Sequence, residues 1–525
     1  MNNIHLLDCT LRDGGYCNEW RFGFDNIRKI TNGLVNANIE IIECGFLTTK
    51  FVYDQDVTKF NDLDQISAII PDNRDGKLFV VMMNYGEFDV DSLPICDGSS
   101  IDGIRVAFHK NNRYEALEVC KKIKQKGYLV FIQAMVTLSY SDEEFLELIK
   151  RVNQFKPYSF YIVDSFGMMK GKDLTRLFFM IEHNLDPDIW IGFHSHNNLQ
   201  LAYSNAQQLT NVQTTRNLII DSSVFGMGRG AGNLNTELFV DYLNEIAGKS
   251  YYLKPLIVLI DEILNEFYQK NSWGYSLPNY ISAVHNAHPN YALFLDDKKT
   301  LTIEDINEIF DIMDEKKKNS FDKNYIEDLY LSYMSTEQIQ EEHNLELKEK
   351  VFGKAILLIA PGKSSFDEAY KIEEFIKTND VIIVSINHIY SKVVPNYIFV
   401  SNLRRYRELE EKEMDKCIVT SNIHAKNVFL QVKYRDLLNS DESVFDNAGL
   451  MAIKFFSQFE VSNIYLAGFD GYSHDTKENY SSSDMEISAR NEVLDAMNAG
   501  MSNVLLEYKK AHKIVFLTKP KHLTV

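Results

Sequence analysis

The feature that most constrains the fold is a strict alternation of short apolar runs with helix-like stretches over the first part of the chain. Each run is followed by enough residues for a crossover helix, as in 114–126 and 142–154. Alternating β and α segments favour a parallel sheet. Eight such units favour a closed (β/α)₈ barrel over an open sheet. The predicted strands are residues 4–8, 39–44, 78–83, 103–108, 128–135, 159–163, 189–193 and 218–221.

After the alternating segment, the pattern of the 525-residue chain changes first to helices alone and then to a second set of strands. Residues 253–268, 302–316 and 325–334 have the pattern of amphipathic helices, and the Glu- and Lys-rich residues 337–350 indicate a solvated helix or linker. A second set of strands begins at about residue 355. We therefore expect an α/β protein with a TIM barrel at 1–245, a helical extension and linker at 246–348, and a Rossmann-like α/β domain at 349–525.

Composition excludes several classes of protein. The 55 Lys and Arg residues against 74 Asp and Glu give a net charge of −19, which argues against broad binding to nucleic acid or to an anionic membrane. The start of the chain lacks the pattern of a signal peptide, and no apolar run approaches the roughly 20 residues that span a bilayer. The six cysteines form no CxxC motif. We expect a cytoplasmic protein with no membrane or nucleic-acid partner.

Polar residues lie where two of the predicted barrel strands end. Arg12 and Asp13 follow the first strand, and His194 and His196 end the seventh. Side chains two residues apart on a strand point the same way. Catalytic residues of such barrels lie at the C-terminal ends of the strands. Asp13, His194 and His196 therefore predict one divalent-cation site with positions open to substrate and water.

The eighth predicted strand leads into a glycine-rich loop. Residues 226–232 contain four glycines, which let the backbone approach a ligand closely. Arg229 lies in this loop, and its guanidinium can clamp a carboxylate or a phosphate. The pattern is typical of an anion-binding loop, with a simple mobile loop as the alternative.

Three motifs resemble those of the DRE-TIM metallolyase superfamily. They are Asp-x-Thr-Leu-Arg-Asp-Gly at 8–14, His-x-His-Asn at 194–197 and Gly-x-Gly-x-x-Ala-Gly-Asn-x-x-x-Glu at 226–237. Within this superfamily the chain is most similar to the 4-hydroxy-2-oxovalerate aldolases, through residues 104–109, 161–165 and the tyrosine-containing segment 274–282. It lacks the loop cysteine of the HMG-CoA lyases and the Gly-Glu-Arg of the Claisen synthases.

The resemblance implies a metal-dependent aldolase that makes or cleaves a 2-oxo acid through a pyruvate-type enolate. A small 2-oxo acid and an aldehyde are the implied partners. The implied cofactor is Mn²⁺, with Mg²⁺, Co²⁺ or Zn²⁺ as alternatives, and Asn233 is either a further ligand or a group behind the ligands. Arg12 would stabilise the enolate charge. The implied substrate-binding residues are Glu43, which could also hold Arg12 in place, Arg105, Ser165 and Arg229.

One position departs from the aldolase pattern. The aldolases have a histidine, taken as the catalytic base, three residues after the metal-binding aspartate, where this chain has Tyr16. A phenol of pKa about 10 is a poor base at neutral pH unless the metal or a cation lowers that pKa, and on this condition Tyr16 is a predicted catalytic residue. His109 is the nearest replacement, and Tyr275 or Tyr280 could donate a proton. Two alternatives stay open: a Claisen-type synthase that joins an acyl-CoA to a 2-oxo acid, and a non-catalytic regulatory protein with a degenerate barrel.

The second set of strands opens with a turn of the phosphate-binding kind. Ala-Pro-Gly-Lys-Ser-Ser at 360–365 lies between a buried strand and a helix, although it is neither a Walker A motif nor a dinucleotide fingerprint. Residues 448–450 and 464–472 resemble segments of bacterial sialyltransferases and of the pterin-pyrophosphokinase-like domain. The resemblance implies a nucleotide or nucleotide sugar, used in surface-sugar biosynthesis. The predicted contacts are Gly362, Lys363, Ser364 and Asp470.

Two further expectations concern the chain as a whole. The known aldolases of this branch work with a separate acylating aldehyde dehydrogenase. Cys417 is the one cysteine of the second α/β segment and lies inside a predicted strand, which argues against a fused dehydrogenase. We expect the protein to be a homo-oligomer.

Overall fold

The computed structural model describes most of the chain as two compact units. The described residues are 3–298, 301–334, 341–423, 425, 427–481, 485, 487 and 489–525. The first unit comprises Met1–Asp297 and Ile303–Asp322, and the second comprises Lys298–Thr302 and Lys323–Val525. The predicted limits of three domains stay a prediction, and part of the proposed boundary region falls on 335–340, outside the described residues.

The first unit is built on a closed barrel of eight parallel strands. Its sheet runs β1-β9-β8-β7-β6-β5-β4-β2, and the pairing of β1 with β2 closes the ring. A two-residue strand, β3, pairs with the end of β2. The strands are β1 Asn3–Asp8, β2 Ile41–Leu47, β3 Lys59–Phe60, β4 Leu78–Asn84, β5 Gly103–Phe108, β6 Leu129–Ala134, β7 Ser159–Asp164, β8 Trp190–Ser195 and β9 Asn217–Ser222.

Helices cover the outside of the barrel between most successive strands. The exception is the crossover from β4 to β5, which contains a single 3₁₀ turn, Val90–Ser92. Residues 85–102 there are rich in Gly, Asp, Ser and Pro, which favour turns over helix. The helices are α1 Thr10–Asp13, α2 Phe24–Asn36, α3 Leu63–Ser67, α4 Arg113–Gln125, α5 Asp142–Asn153, α6 Gly171–Asn184, α7 Ala202–Thr210 and α8 Thr236–Ala247.

Alternate strand residues face two separate cores. On β1, Leu6 packs into the large core between strands and helices, whereas Leu7 packs into a smaller core inside the barrel. The inner core includes the buried ring of Tyr161. A Cβ atom on Gly192 of the neighbouring strand would lie 2.2 Å from that ring. The glycine therefore leaves the space that the tyrosine fills.

A helical extension completes the first unit, as the sequence predicts. The chain passes from α9 through a π-helical turn, Ile260–Leu264, into α10. No helix in the described part of the chain is both long and apolar enough to cross a membrane. The helices of the extension are α9 Leu253–Leu259, α10 Asn265–Lys270, α11 Leu277–Val284, α12 Pro289–Asp297 and α13 Ile303–Asp311.

The second unit contains a seven-stranded, fully parallel, open sheet. Its order is β14-β13-β12-β11-β10-β15-β16, so the chain builds outward from β10 and then crosses back to add β15 on the other side. The prediction of an α/β protein with a TIM barrel and a second parallel sheet is confirmed. The strands are β10 Ala355–Ile359, β11 Val381–Ile386, β12 Tyr397–Val400, β13 Cys417–Thr420, β14 Leu430–Val432, β15 Asn463–Ala467 and β16 Ile514–Phe516.

Helices of this second unit flank its sheet. Ile372 of α17 is buried in one hydrophobic core with Leu357 and Ile359 of β10. The helices are α14 Lys323–Tyr333, α15 Glu341–Val351, α16 Ser364–Asp367, α17 Ala369–Thr378, α18 Leu403–Arg407, α19 Tyr434–Leu437, α20 Ala448–Phe456 and α21 Asn491–Ala511.

Candidate metal centre

The three predicted metal ligands meet at the C-terminal mouth of the barrel. Asp13 lies in the short helix after β1, and His194 and His196 lie at the end of β8 and just beyond it. Nε2 of His194 is 3.7 Å from Oδ2 of Asp13, and Nε2 of His196 is 3.6 Å from the same atom. Among the described residues, this is the one group of three or more His, Cys, Asp or Glu side chains placed to hold a metal ion.

The protonation states of Asp13 and His196 suit a cation. Burial favours the neutral form of Asp13, but Arg12 and then the two histidines outweigh it and hold the pKa of the carboxyl below its ordinary value. Burial also lowers the pKa of His196 to about 3, so its imidazole is neutral. A carboxylate and neutral imidazoles are the forms that bind metal. The residues present therefore fit a divalent cation.

Asn233 lies against the same group. Its Nδ2 donates to Oδ2 of Asp13 at 2.6 Å and to the carbonyl of Met227 at 3.3 Å. Its Oδ1 is buried and has no hydrogen-bond partner among the described residues. An unpartnered buried amide oxygen beside the ligands is what a further cation contact requires. The geometry is compatible with either role predicted for Asn233.

Asp221, at the end of β9, has a part in the site that the sequence motifs did not assign. Its Oδ2 is 2.9 Å from Nδ1 of His194. This contact fixes the ring and leaves Nε2 facing the other ligands, an arrangement that raises the basicity of a metal-binding histidine. The sequence signal was an acidic residue at a barrel strand end, but nothing in the sequence specified its partner.

A buried network of ion pairs supports the mouth of the barrel. Arg12 pairs with Asp13 and with Glu43, each at 2.9 Å. Glu43 also pairs with Arg105 at 2.9 Å, and Arg105 is hydrogen-bonded to Asp221. Glu43 thus contacts Arg12 as expected. The guanidinium of Arg105 is fully buried and engaged by two carboxylates, so its contacts are those of a positioning residue.

Arg12 keeps one donor for a ligand. Its Nη2 is buried and has no hydrogen-bond partner among the described residues. Arg12 is 6% exposed, and the nearby carboxylates hold the pKa of its guanidinium above the ordinary value against the effect of burial. Arg12 is therefore a permanent cation with a free N–H group beside the three predicted ligands.

Arg229 and two other predicted residues form a second cluster at the mouth. The guanidinium of Arg229 donates to the carbonyl of Ser165 at 2.8 Å and lies 5.5 Å from the centre of the Tyr16 ring. The hydroxyl of Ser165 accepts a hydrogen bond from the Val136 N–H group. Ser165 therefore holds Arg229 through its main chain, and Tyr16, which is 42% exposed, lies at the rim.

Two histidines lie close enough to Arg229 for its charge to affect them. Burial, followed by Arg229, lowers the pKa of His109. Burial lowers the pKa of His288 to about 3, with smaller effects from Arg229 and His109. His288 lies just before α12 and packs edge-on against Phe166. No sequence motif surrounds His288 in the helical extension, so the sequence does not indicate its place near Arg229.

Tyr275 and Tyr280 are placed less closely. They are 56% and 42% exposed, respectively. Among the described residues, the structure shows no hydrogen bond between either hydroxyl and a side chain of the barrel mouth. Their assignment as proton donors stays a prediction.

The predicted nucleotide contacts lie around one turn of the second unit. Gly362 and Asp470 line a cavity at the C-terminal edge of its sheet. Nζ of Lys363 pairs with Glu478 at 2.5 Å, and the buried Ser364 donates its N–H to the Asp470 carboxylate at 2.6 Å. The structure brings the four residues together, and their binding role stays a prediction.

The barrel segment is similar to known proteins. Residues 100–252 match the HMGL-like family. A 4-hydroxy-2-oxovalerate aldolase from Pseudoalteromonas translucida is 27% identical over 248 residues, which cover 46% of this chain and 70% of that protein. One from Moorella thermoacetica is 28% identical over 247 residues, which cover 46% and 71%.

A solved structure also aligns with the chain. The N-terminal domain of a proposed aldolase from Bacteroides vulgatus is 26% identical, with a TM-score of 0.49 over 57% of this chain and 98% of that one. The match of residues 100–252 to the HMGL-like family supports the resemblance that the barrel motifs predict. The aldolase relatives support the prediction that the chain is an enzyme, a metal-dependent carbon–carbon lyase. The resemblance of the second unit to sialyltransferases stays a prediction.

Proposed function

We propose that the barrel unit is a divalent-metal-dependent aldolase that makes or cleaves a carbon–carbon bond next to a 2-oxo acid. The observation that carries the proposal is the convergence of Asp13, His194 and His196, with ligand atoms within 4.8 Å of one another, beside a free N–H group of Arg12. The aldolase relatives support this choice of reaction. Mn²⁺ is the proposed ion.

A divalent cation at this site would act as a Lewis acid toward the keto and carboxylate oxygens of the 2-oxo acid. Arg12 would donate its free N–H to the oxygen that gains negative charge as the bond breaks. Glu43, at 2.9 Å from Arg12, holds the guanidinium in place for this task. Because these groups are buried, their interaction with the developing charge is stronger than it would be in water.

The proposed catalytic base is a histidine rather than the phenol of Tyr16. In cleavage, a base takes the proton of the substrate's 4-hydroxyl group, the C3–C4 bond breaks, and C3 takes up a proton to give pyruvate and an aldehyde. His109 is the proposed base, because its lowered pKa leaves the imidazole neutral at pH 7. His288 is the second candidate. Arg229 would face the charged or polar end of the aldehyde.

The test uses the full chain, Mn²⁺, and 4-hydroxy-2-oxo acids of increasing length. Release of pyruvate is followed by coupled reduction, and the reverse reaction by proton NMR of pyruvate with an aldehyde. Asp13→Asn is expected to lose Mn²⁺ and at least 100-fold in kcat, whereas the exposed Asp72→Asn should match wild type. Full activity of Asp13→Asn would overturn the proposal. Release of coenzyme A thiol from an acyl-CoA and a 2-oxo acid would support the Claisen-type alternative.

A second set of variants tests the base. His109→Asn is expected to lower kcat by about 10²–10⁴-fold, the usual contribution of general base catalysis, with Mn²⁺ still bound. His288→Asn tests the second candidate, and the exposed His183→Asn is the matched control. If His109→Asn retains wild-type kcat, the assignment of the base is wrong. Metal binding without turnover on any substrate would support the non-catalytic alternative.

The functions assigned to the rest of the chain stay predictions. A nucleotide or nucleotide-sugar partner, a place in surface-sugar biosynthesis and a homo-oligomeric state belong to this proposal as expectations.

A further inference from the structure

A cavity of about 260 Å³ opens in the second unit, at the C-terminal ends of its central strands. Residues that follow β10, β11, β12 and β15 line it. The strand order reverses between β10 and β15, because the chain extends the sheet on one side of β10 before it returns to the other. In open parallel sheets, ligands bind in the crevice at such a reversal.

The turn after β10 is not free to hold a phosphate. The N–H group of Ser364 already donates to Oδ2 of Asp470 at 2.6 Å, and Lys363 is paired with Glu478. A Cβ atom on Gly362 would lie 2.2 Å from the carbonyl oxygen of Gly468, so the turn is packed tightly against the end of the neighbouring strand β15. A carboxylate thus occupies the place that a phosphate would take.

Asp470 has one oxygen left over. Its side chain is buried, with the residue 2% exposed, and Oδ1 has no hydrogen-bond partner among the described residues. The residue lines the cavity. A buried carboxylate oxygen without a partner is costly unless a ligand hydroxyl or amine donates to it.

Two amide groups line the same cavity with their donors free. Oδ1 of Asn387 accepts from the Ser401 N–H at 3.0 Å, and Oδ1 of Asn402 accepts from the Arg405 N–H at 3.2 Å. These bonds fix the orientation of each amide. In the part of the chain that the structure describes, neither Nδ2 atom has a protein partner. The cavity therefore offers one strong acceptor and two donors.

The charge of the lining favours a neutral ligand. Among the described lining residues, two carboxylates, Asp446 and Asp470, face one lysine, Lys298. Phe469 and Tyr472 add ring surface. A hydroxyl group can donate to a carboxylate and accept from an amide at once. Adjacent hydroxyls on a ring would hydrogen-bond to Asp470 and to both asparagines, whereas a phosphate would be repelled by the two carboxylates.

We propose that this crevice binds the vicinal diol of a ribose or hexose through Asp470, Asn387 and Asn402. The bound group is neutral. A phosphate on a larger ligand would contribute little to the binding affinity. For the second unit, this proposal rests on the nucleotide or nucleotide-sugar partner of the proposed function. It does not depend on the reaction of the barrel, and either can fail without the other.

The test is calorimetric titration of the full chain with adenosine, guanosine, cytidine, uridine and D-glucose. At least one is expected to bind in the range up to 10 mM. For a nucleoside, the 2′-deoxy form should bind at least tenfold more weakly, and the 5′-monophosphate should bind within threefold of the nucleoside. Binding of glucose alone identifies a hexose as the source of the diol, and binding of a nucleoside identifies a ribose.

Two reciprocal variants locate the site. Asp470→Asn keeps an oxygen for the Ser364 N–H and replaces the free acceptor by a donor, and Asn387→Asp makes the opposite exchange. Each should weaken binding at least tenfold, with an unchanged far-ultraviolet circular dichroism spectrum, whereas the exposed Asp415→Asn should bind as wild type does. Three results would each overturn the proposal: no binding of any of the five probes, wild-type affinity in both Asp470→Asn and Asn387→Asp, or a monophosphate that binds more than tenfold tighter than its nucleoside.

Discussion

At the scale of single residues, the mouth of the barrel depends on buried carboxylates that hold other side chains in place. Asp221 joins His194 to Arg105, and Glu43 joins Arg105 to Arg12. All these side chains are buried. A buried charge without a partner is costly in free energy. Each carboxylate therefore stabilises the fold by neutralising a buried cation and also fixes the position of that side chain.

Replacement of Asp221 should expose its effect on metal binding. Asp221→Asn removes the charge that orients His194 but keeps the size of the side chain. Loss of such a contact typically weakens metal binding about 10–100-fold. Titration of Mn²⁺ into the metal-free chain measures this, with Asp72→Asn as control. An unchanged Mn²⁺ affinity in Asp221→Asn would show that the contact does not support the site.

Asp8 makes a pH-dependent contribution to stability. Burial raises its pKa to about 6, although Thr10 and Thr236 donate hydrogen bonds to it. The unfolded carboxyl has a pKa of about 3.9. The folded state therefore holds the proton more tightly between pH 4 and pH 6, and the free energy of unfolding should fall as pH rises through this range.

The Asp8 contribution can be isolated with one variant. A difference of about two pKa units corresponds to roughly 3 kcal/mol. Urea denaturation of the wild type and Asp8→Asn at pH 4 and pH 6.5 should show a smaller pH-dependent loss of stability in the variant. The same pH dependence in both proteins would mean that the carboxyl titrates normally in the folded state.

At the scale of elements, the N-terminus of helix α5 tests how much its capping residues stabilise the helix. Ser141 accepts a hydrogen bond from the Glu144 N–H, and the Glu144 carboxylate accepts one from the Ser141 N–H. Ser141→Ala should lower the free energy of unfolding of the barrel unit by about 1 kcal/mol. Ser141→Asp should restore most of it. Amide hydrogen exchange in Asp142–Asn153 reports the effect locally, and equal exchange in Ser141→Ala and wild type would contradict it.

The barrel strands could be predicted because their signal is local. Each is a short apolar run between turn-forming residues, and the observed bounds differ from the predicted ones by a few residues at the ends. The crossover after β4 shows the limit, since its length suits a helix but its composition does not. The short strand β3 was missed because two residues carry no periodicity.

The candidate site divides in the same way. Asp13, His194 and His196 could be predicted because barrel strand ends meet at one face. The contact of Asp221 with His194 requires the register of β8 against β9, and the place of His288 requires the packing of the helical extension. Both depend on packing between segments that are distant in the sequence, so neither could be predicted from local sequence patterns.

At the scale of the whole molecule, the two units should respond separately to their ligands. A ligand stabilises the state that binds it, by about 2.7 kcal/mol at a concentration of 100 times Kd. Saturating Mn²⁺ should therefore slow amide exchange within 3–297 and 303–322. Exchange in 355–525 should change little. Uniform protection of both ranges by Mn²⁺ would contradict separate responses, and a chain carrying Asp13→Asn provides the control.

The ion pairs of Arg105 also bear on how this chain can change over evolution. Its guanidinium joins Glu43 of β2 to Asp221 of β9, so residues distant along the chain share one buried charge balance. Loss of the arginine alone would leave Asp221 buried without its arginine partner, and Glu43 would keep its pairing with Arg12 but lose the second one. Substitutions at positions 43, 105 and 221 are therefore tolerated in combination rather than singly, and relatives of this barrel should vary at these three positions together.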